Sequence, residues 1–359
     1  MELPNKLEDK LDKRKVEGTL RQLVDFDHLF DFYSNDYLGI AKTTFERDLQ
    51  HGSTGSRLIS GHSKFIENAE SELAHFYGME AGLLYNSGYD ANIGIFSSIL
   101  DRGDTVIMDN LCHASIRDGI RLSFAKGYNF RHNDLNHLEE RLKSAEGNVY
   151  VAVESVYSMD GDKAPLKAIV DLCHSYGAYL IVDEAHSGGI IGKGGRGLVN
   201  QLGLDDDVFL KLITFGKAYG STGAIALCSE SLRQYLINFS RPFIYTTGMA
   251  PYAVGRILQV VGKAAKMDQE REQIKSNINV LKTIAAQKQL QLIKSDSPIQ
   301  AIIIPDIVKL LNKTDELIRS GFAVRAISEP TVQKGSERIR LCVHSYNTED
   351  EIVALLSHF

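Results

Sequence analysis

The stretch "NVYVAVESVYSMDGDKAPLKAIVDLCHSYGAYLIVDEAH", Asn148 to His186, decides the fold. Each end is a compact run rich in Val, Ile, Leu or Tyr that closes on polar residues, Glu154 and Ser158 in the first run, Asp183 and His186 in the second. Parallel strands buried on both faces have this texture. Between them Leu166, Ile169, Val170 and Cys173 share one helical face, with Pro165 at the opening and Gly177 at the stop. The stretch predicts a complete β-α-β unit, and with it a largely parallel α/β sheet.

The neighbouring segments agree. "SKFIENAESELAHFYG" places Ile66, Ala69, Leu73 and Phe76 at helical spacing and stops at Gly78. "GLLYNSGYDANIGIFSSIL" predicts a strand, a Ser-Gly turn and a helix, and "VFLKLITFG" a further buried strand. Beyond Arg241-Pro242 the chain predicts one or two long amphipathic helices over residues 249–287. Three strand-like runs follow, "SPIQAIIIP", "FAVRAI" and "ERIRLCVHS", then a closing helix whose Thr348 and Glu351 make a capping box. We therefore expect an N-terminal segment over 1–45, a large domain over 46–240, and an interdomain helix with a small C-terminal α+β domain over 241–359.

Composition narrows the function classes. The 359 residues are 43% hydrophobic and 24% charged, as in a globular enzyme, and the net charge of −6 offers no basic field for nucleic acid. The N-terminal "MELPNKLEDKLDKRKVEG" lacks the apolar core of a secretory signal, and no run approaches the ~18 apolar residues of a membrane span. A cytoplasmic protein without membrane contact is the expectation. Cys112, Cys173, Cys228 and Cys342 form no C-x-x-C pair, so neither a metal site nor a disulfide framework is expected.

Ligands of open α/β sheets bind at the carboxyl ends of the strands. The polar residues at those ends are Ser87-Gly88-Tyr89, Glu154 with Ser158, Asp183 with His186, and Thr214 with Lys217. Pyridoxal 5'-phosphate needs a lysine for its aldehyde, a carboxylate for its pyridine nitrogen and a cup for its phosphate. Lys217, Asp183 and the Ser87-Gly88-Tyr89 turn can fill those roles. A nucleotide loop of the form G-x-x-x-x-G-K-[ST] fits less well, because Lys193 is followed by Gly194 and Lys217 by Ala218.

With these residues in view, the chain resembles the α-oxoamine synthases, pyridoxal-phosphate enzymes of the aspartate-aminotransferase fold type I. The resemblance runs from "FYSNDYLG" to the C-terminus through "STGSRLISG", "NSGYDAN", "HAS", "ESVYSMDGDKAPL", "VDEAHSGGIIGKGGRG", "TFGKAYG" and "PTVQKGSERIRL". "SRLISG" and "TFGKAYG" are most similar to the 8-amino-7-oxononanoate synthase branch; glycine-using ligases tend toward "VRFICG" and "TLGKALG". The resemblance implies a mostly parallel seven-stranded sheet between helices, and a homodimer with shared active sites. It implies condensation of L-alanine with pimeloyl-CoA or a pimeloyl-carrier protein, with loss of carbon dioxide, in biotin synthesis.

Site roles follow from the same resemblance. Lys217 matches the Schiff-base lysine, Asp183 the partner of the pyridine nitrogen, and His113 of "HAS" the histidine that stacks on the ring. His186 and Ser158 match residues near the phenolic oxygen. Gly88, Tyr89 and Thr214 match phosphate-side positions, as does Thr246 or Thr247 reaching from the other subunit. Arg340, aided by Asn35, matches the arginine that binds the amino-acid carboxylate, and Arg21 a residue near the acyl substrate. One departure stands out: where many members carry Arg-Pro-Pro, this chain has Ser328-Glu329-Pro330, with Arg325 upstream.

Overall fold

The computed structural model describes residues 5–21, 24–26 and 28–359. Its strands are β1 (Phe30–Asp31), β2 (Ala81–Tyr85), β3 (Thr105–Asp109), β4 (Lys126–Phe130), β5 (Val149–Glu154), β6 (Tyr179–Asp183), β7 (Leu210–Thr214), β8 (Ala224–Cys228), β9 (Ile299–Ile303), β10 (Phe322–Ala323), β11 (Arg325–Ile327) and β12 (Arg338–Cys342). The deciding stretch folds as a right-length β-α-β unit. β5 and β6 lie parallel with Tyr150 opposite Tyr179 and Glu154 opposite Asp183, and the helix Leu166–Tyr176 joins them. Gly177 ends that helix at φ 64°, a left-handed conformation that a Cβ would strain.

Seven strands form the main sheet in the order β2-β8-β7-β6-β5-β3-β4, all parallel except β8, which runs against both of its neighbours. Reading the residues alone anchors β2, β5, β6 and β7 and leaves out β3, β4 and β8. β4, "KGYNF", is exposed at four of its five positions and so carries no apolar run.

Helices cover both faces, which is why the central strands are apolar along most of their length, the buried Lys211 of β7 being held by the Tyr77 carbonyl and Asp205. Ile181 packs on one side with Ile95 and Phe96 of the helix Gly88–Ile99. Its neighbours Leu180 and Val182 face the other side, against Leu138, Leu166 and Ile169. This alternation along one strand is the two-residue pleat. Each such aliphatic side chain, once fully buried, contributes about 1.5–3 kcal/mol.

Beyond Ser240 the texture changes as expected, to the helices Pro251–Ala264 and Asp268–Gln287. An antiparallel sheet β11-β12-β9 follows, and the Thr348–Glu351 capping box opens the last helix, Glu349–Ser357. Residues 30–37 are built into this C-terminal part: β1 pairs with β10, Cys342 N–H donates to the Phe32 carbonyl at 2.8 Å, and Ser345 N–H to the Tyr37 carbonyl at 2.9 Å. That seam carries Asn35 to the flank of β12. Among the described residues no helix is long and apolar enough to cross a membrane.

Candidate active site

At the carboxyl ends of the parallel strands lies a cavity of about 280 Å³. Ser87, Gly88, Tyr89, His113, Glu154, Asp183, Thr214 and Lys217, all expected at the site, line it together with Asn92 and Ser115. The register that sets Glu154 opposite Asp183 brings two buried carboxyls onto adjacent strands. Burial, reinforced by the Asp183 charge, pushes the Glu154 carboxyl up to about 8. Burial pushes the Lys217 ammonium down from its ordinary value, while Asp183 and Glu154 pull the other way. The cavity therefore favours a lysine that gives up its proton more readily than one in water.

Asp183 is fixed at both oxygens. Oδ2 accepts from Asn92 Nδ2 at 2.8 Å and Oδ1 from the Ala185 N–H at 2.9 Å. Asn92 Nδ2 also donates to Ser115 Oγ at 3.0 Å, which turns the Ser115 proton toward His113 Nδ1, 2.8 Å away. The Ser115 N–H points at the same nitrogen from 3.3 Å, so Nδ1 is the lone-pair atom and the ring proton sits on Nε2. Burial lowers the His113 imidazole from its ordinary value, which keeps it neutral. Its backbone N–H donates to Glu154 Oε1 at 2.6 Å.

The far end is shaped for an anion. Ser87 caps the helix Gly88–Ile99, its Oγ accepting from Asp90 N–H at 3.1 Å, and the N–H groups of the first turn have no partners within the helix. Thr214 Oγ1 is buried without a hydrogen-bond partner. A Cβ on Gly88 would stand 2.5 Å from Thr214 Cγ2, so glycine alone lets the turn lie this close to the strand end. An orphaned hydroxyl beside a helix start is the donor set that a phosphate satisfies. With Asp183 and Lys217 at the other end, these residues fit pyridoxal phosphate.

The remaining expected residues divide. Lys217 Nζ lies 2.8 Å from His186 Nε2. Arg340 donates through Nη2 to Asn35 Oδ1 at 3.0 Å and through Nε to the Ser158 carbonyl at 2.8 Å. Ser158 itself lines a second cavity, about 690 Å³, which shares His113 with the first and is bordered by Tyr157, Pro330 and Arg338. Tyr89 meets the His113 ring edge to face at 6.4 Å and donates to Asp118 at 2.5 Å. Thr246 and Thr247 do not line the first cavity; Thr247 offers its carbonyl to Asn86 Nδ2 at 2.9 Å, and Thr246 borders a separate groove with Arg241 and Tyr245. Arg21 is exposed and lines neither cavity.

Sequence reading missed Asn92, Ser115 and Tyr37. Asn92 had a usable clue: it stands four residues after Gly88, one turn along the same face of an otherwise apolar helix.

The profile of the aminotransferase class I and II family matches residues 27–359. The 8-amino-7-oxononanoate synthase of Emericella nidulans is 38% identical over 386 residues, covering 97% of this chain and 91% of that protein. Among solved structures, the serine palmitoyltransferase of S. paucimobilis, with PLP and myriocin bound, superposes with a TM-score of 0.91 at 27% identity, covering 100% of this chain and 98% of that one. The 8-amino-7-oxononanoate synthase of Francisella tularensis superposes with a TM-score of 0.81 at 28% identity, over 92% and 97% of the two chains.

Proposed function

The chain belongs to the aminotransferase class I and II family, and from that premise we propose that it is a pyridoxal-phosphate-dependent acyltransferase joining L-alanine to a pimeloyl thioester. The products are 8-amino-7-oxononanoate, carbon dioxide and the free thiol. The observation that carries the reading is the shared cavity of Lys217 and Asp183, in a chain similar along almost its whole length to a protein named for that synthase.

Bound pyridoxal phosphate supplies an aldehyde that holds an amine and a protonated ring that withdraws electrons from the adjoining carbon. Lys217 would hold the cofactor through Nζ, Asp183 would keep its ring nitrogen protonated, and Thr214 with the Gly88 turn would anchor its phosphate. His113, neutral and fixed by Ser115, would lie against the ring. Arg340, oriented by Asn35 and the Ser158 carbonyl, would take the amino-acid carboxylate, for which a guanidinium fork is suited. Lys217, its Nζ freed when the substrate amine takes its place and its basicity lowered by burial, would then remove the α-proton as a neutral amine. The second cavity, reached past His113, has room for the thioester arm.

A second copy of the chain fits this reading. Leu58, Ile59, Leu122, Phe124 and Tyr245 are exposed, and an apolar surface of this kind suits a homodimer that brings Thr246 and Thr247 to the partner's site. The likeness to serine palmitoyltransferase supports one other reading, L-serine with a longer acyl thioester. The deciding experiment offers L-alanine, L-serine and glycine against a panel of acyl thioesters and weighs the products. Release of 8-amino-7-oxononanoate is expected; a serine-derived ketone as main product would overturn the proposal. Lys217→Ala should abolish turnover and the borohydride-reducible chromophore together.

A further inference from the structure

We infer that Tyr37 is a positioning residue that fixes the tautomer of His186, and through it the direction of the Lys217 amine, while tying that pair to the Arg340 end of the site. The inference rests on the reading of Lys217 as the group that takes the substrate proton.

Tyr37 is fully buried, and its hydroxyl lies 3.0 Å from Asn35 Oδ1 and 2.8 Å from His186 Nδ1, with the Arg340 guanidinium, which can only donate, also against it. It has one proton to give. Arg340 Nη2 stands 3.0 Å from the same Asn35 atom, and a guanidinium only donates, so that atom is the amide oxygen and can only accept. Tyr37 must therefore donate to Asn35 and accept from His186 Nδ1–H. Burial, with the charges of Lys217, Arg340 and His113, holds the His186 imidazole well below its ordinary value, leaving the ring one proton. Nε2 is then a lone pair, and Lys217 Nζ, 2.8 Å away, donates to it.

The bonds from Arg340 through Asn35, Tyr37 and His186 to Lys217 thus have one direction each. A neutral Lys217 amine that commits one N–H to His186 holds its lone pair away from that ring. A substrate carboxylate that draws Arg340 toward itself competes with Asn35 for the guanidinium, so recognition at one end is felt by the amine at the other. Besides these groups, Asp183, Glu154 and His113 act on Lys217 or His186, and Cys342 Sγ takes Arg340 Nη1 at 3.0 Å beside the Tyr37 hydroxyl.

The test labels histidine with nitrogen-15 in the protein before and after saturation with pyridoxal phosphate, His186 being identified by its loss in His186→Asn. Wild type should show the proton on Nδ1. Tyr37→Phe keeps the ring and loses the acceptor, so the proton should spread to Nε2. Asn35→Ala removes the outlet for the Tyr37 proton, so Tyr37 should become the donor and drive the ring proton to Nε2. The pH midpoint of the cofactor absorbance should also move in Tyr37→Phe, by up to about one unit, the worth of one ordinary hydrogen bond. A wild-type proton on Nε2, or tautomer and midpoint unchanged in both variants, would overturn the inference. A purely structural tyrosine would lower the melting temperature and leave both readouts in place. Wild type with the Nδ1 proton but no cofactor absorbance would support the relay and remove the proposed function instead.

Discussion

Asn92 Nδ2 donates to Asp183 Oδ2 at 2.8 Å from the helix that Ser87 caps, so the Ser87-Gly88 turn and the Asp183 carboxylate are tied to one rigid element. Asp183→Asn should retain cofactor, because Lys217 and the Gly88 turn remain, yet lose turnover by about 10²-fold or more. A variant with wild-type kcat would remove Asp183 from its role. Asn92→Ala takes one donor from the carboxylate and should cost roughly tenfold or more in kcat, the worth of one hydrogen bond to a charged group.

Glu154 sets a pH dependence. Its carboxyl would lose its proton near the ordinary 4.5 in the unfolded chain but only near about 8 in the folded one. Across that interval the folded state binds more protons, so the group's contribution to stability falls as pH rises. Glu154→Gln keeps an acceptor for the His113 N–H and cannot ionise. Its stability relative to wild type should therefore climb from near pH 5 to near pH 8, read from urea midpoints without cofactor. A relative stability that declines over that range would contradict the assignment.

Gly88→Ala is expected to strain the protein before any ligand is added. The new methyl would press on Thr214 Cγ2, and overpacking of this kind costs about 1–3 kcal/mol. A lower melting temperature without pyridoxal phosphate, and weaker retention of it on dialysis, are the two readouts. An unchanged melting temperature would mean that the turn has slack.

Arg340→Lys keeps the charge and discards the fork. One to two hydrogen bonds are lost, so KM for the amino acid should rise about 10- to 100-fold. The thioester KM should move far less, since Arg340 itself does not line the second cavity. Equal increases in both constants would argue against a carboxylate role.

The parts of the site that the residue pattern made legible are those that a strand end announces. Asp183, His186, Thr214 and Lys217 each follow an apolar run, and the sheet does the rest by setting those ends side by side. Arg340 and Asn35 are different, because 305 residues separate them and no periodicity relates them; the resemblance supplied their pairing. Tyr37 is hidden for another reason. Its value lies in a hydroxyl between Asn35 and His186, and sequence spacing carries no information about hydrogen-bond direction. In the fold, β4 escaped notice because an exposed edge strand needs no apolar run.

The seam between residues 30–37 and the C-terminal strands has a consequence for synthesis. β1 finds its partner only in Phe322–Ala323, and the Phe32 carbonyl waits for Cys342. The strands that lead to Asp183 and Lys217, β6 and β7, end by residue 214, more than a hundred residues earlier. On a ribosome, where chains emerge from the N-terminus, the proposed cofactor cradle can assemble first and the Arg340 end last. Until β12 emerges, Asn35 lacks its Arg340 partner, and a nascent chain lacks the group we propose as its grip on an amino acid.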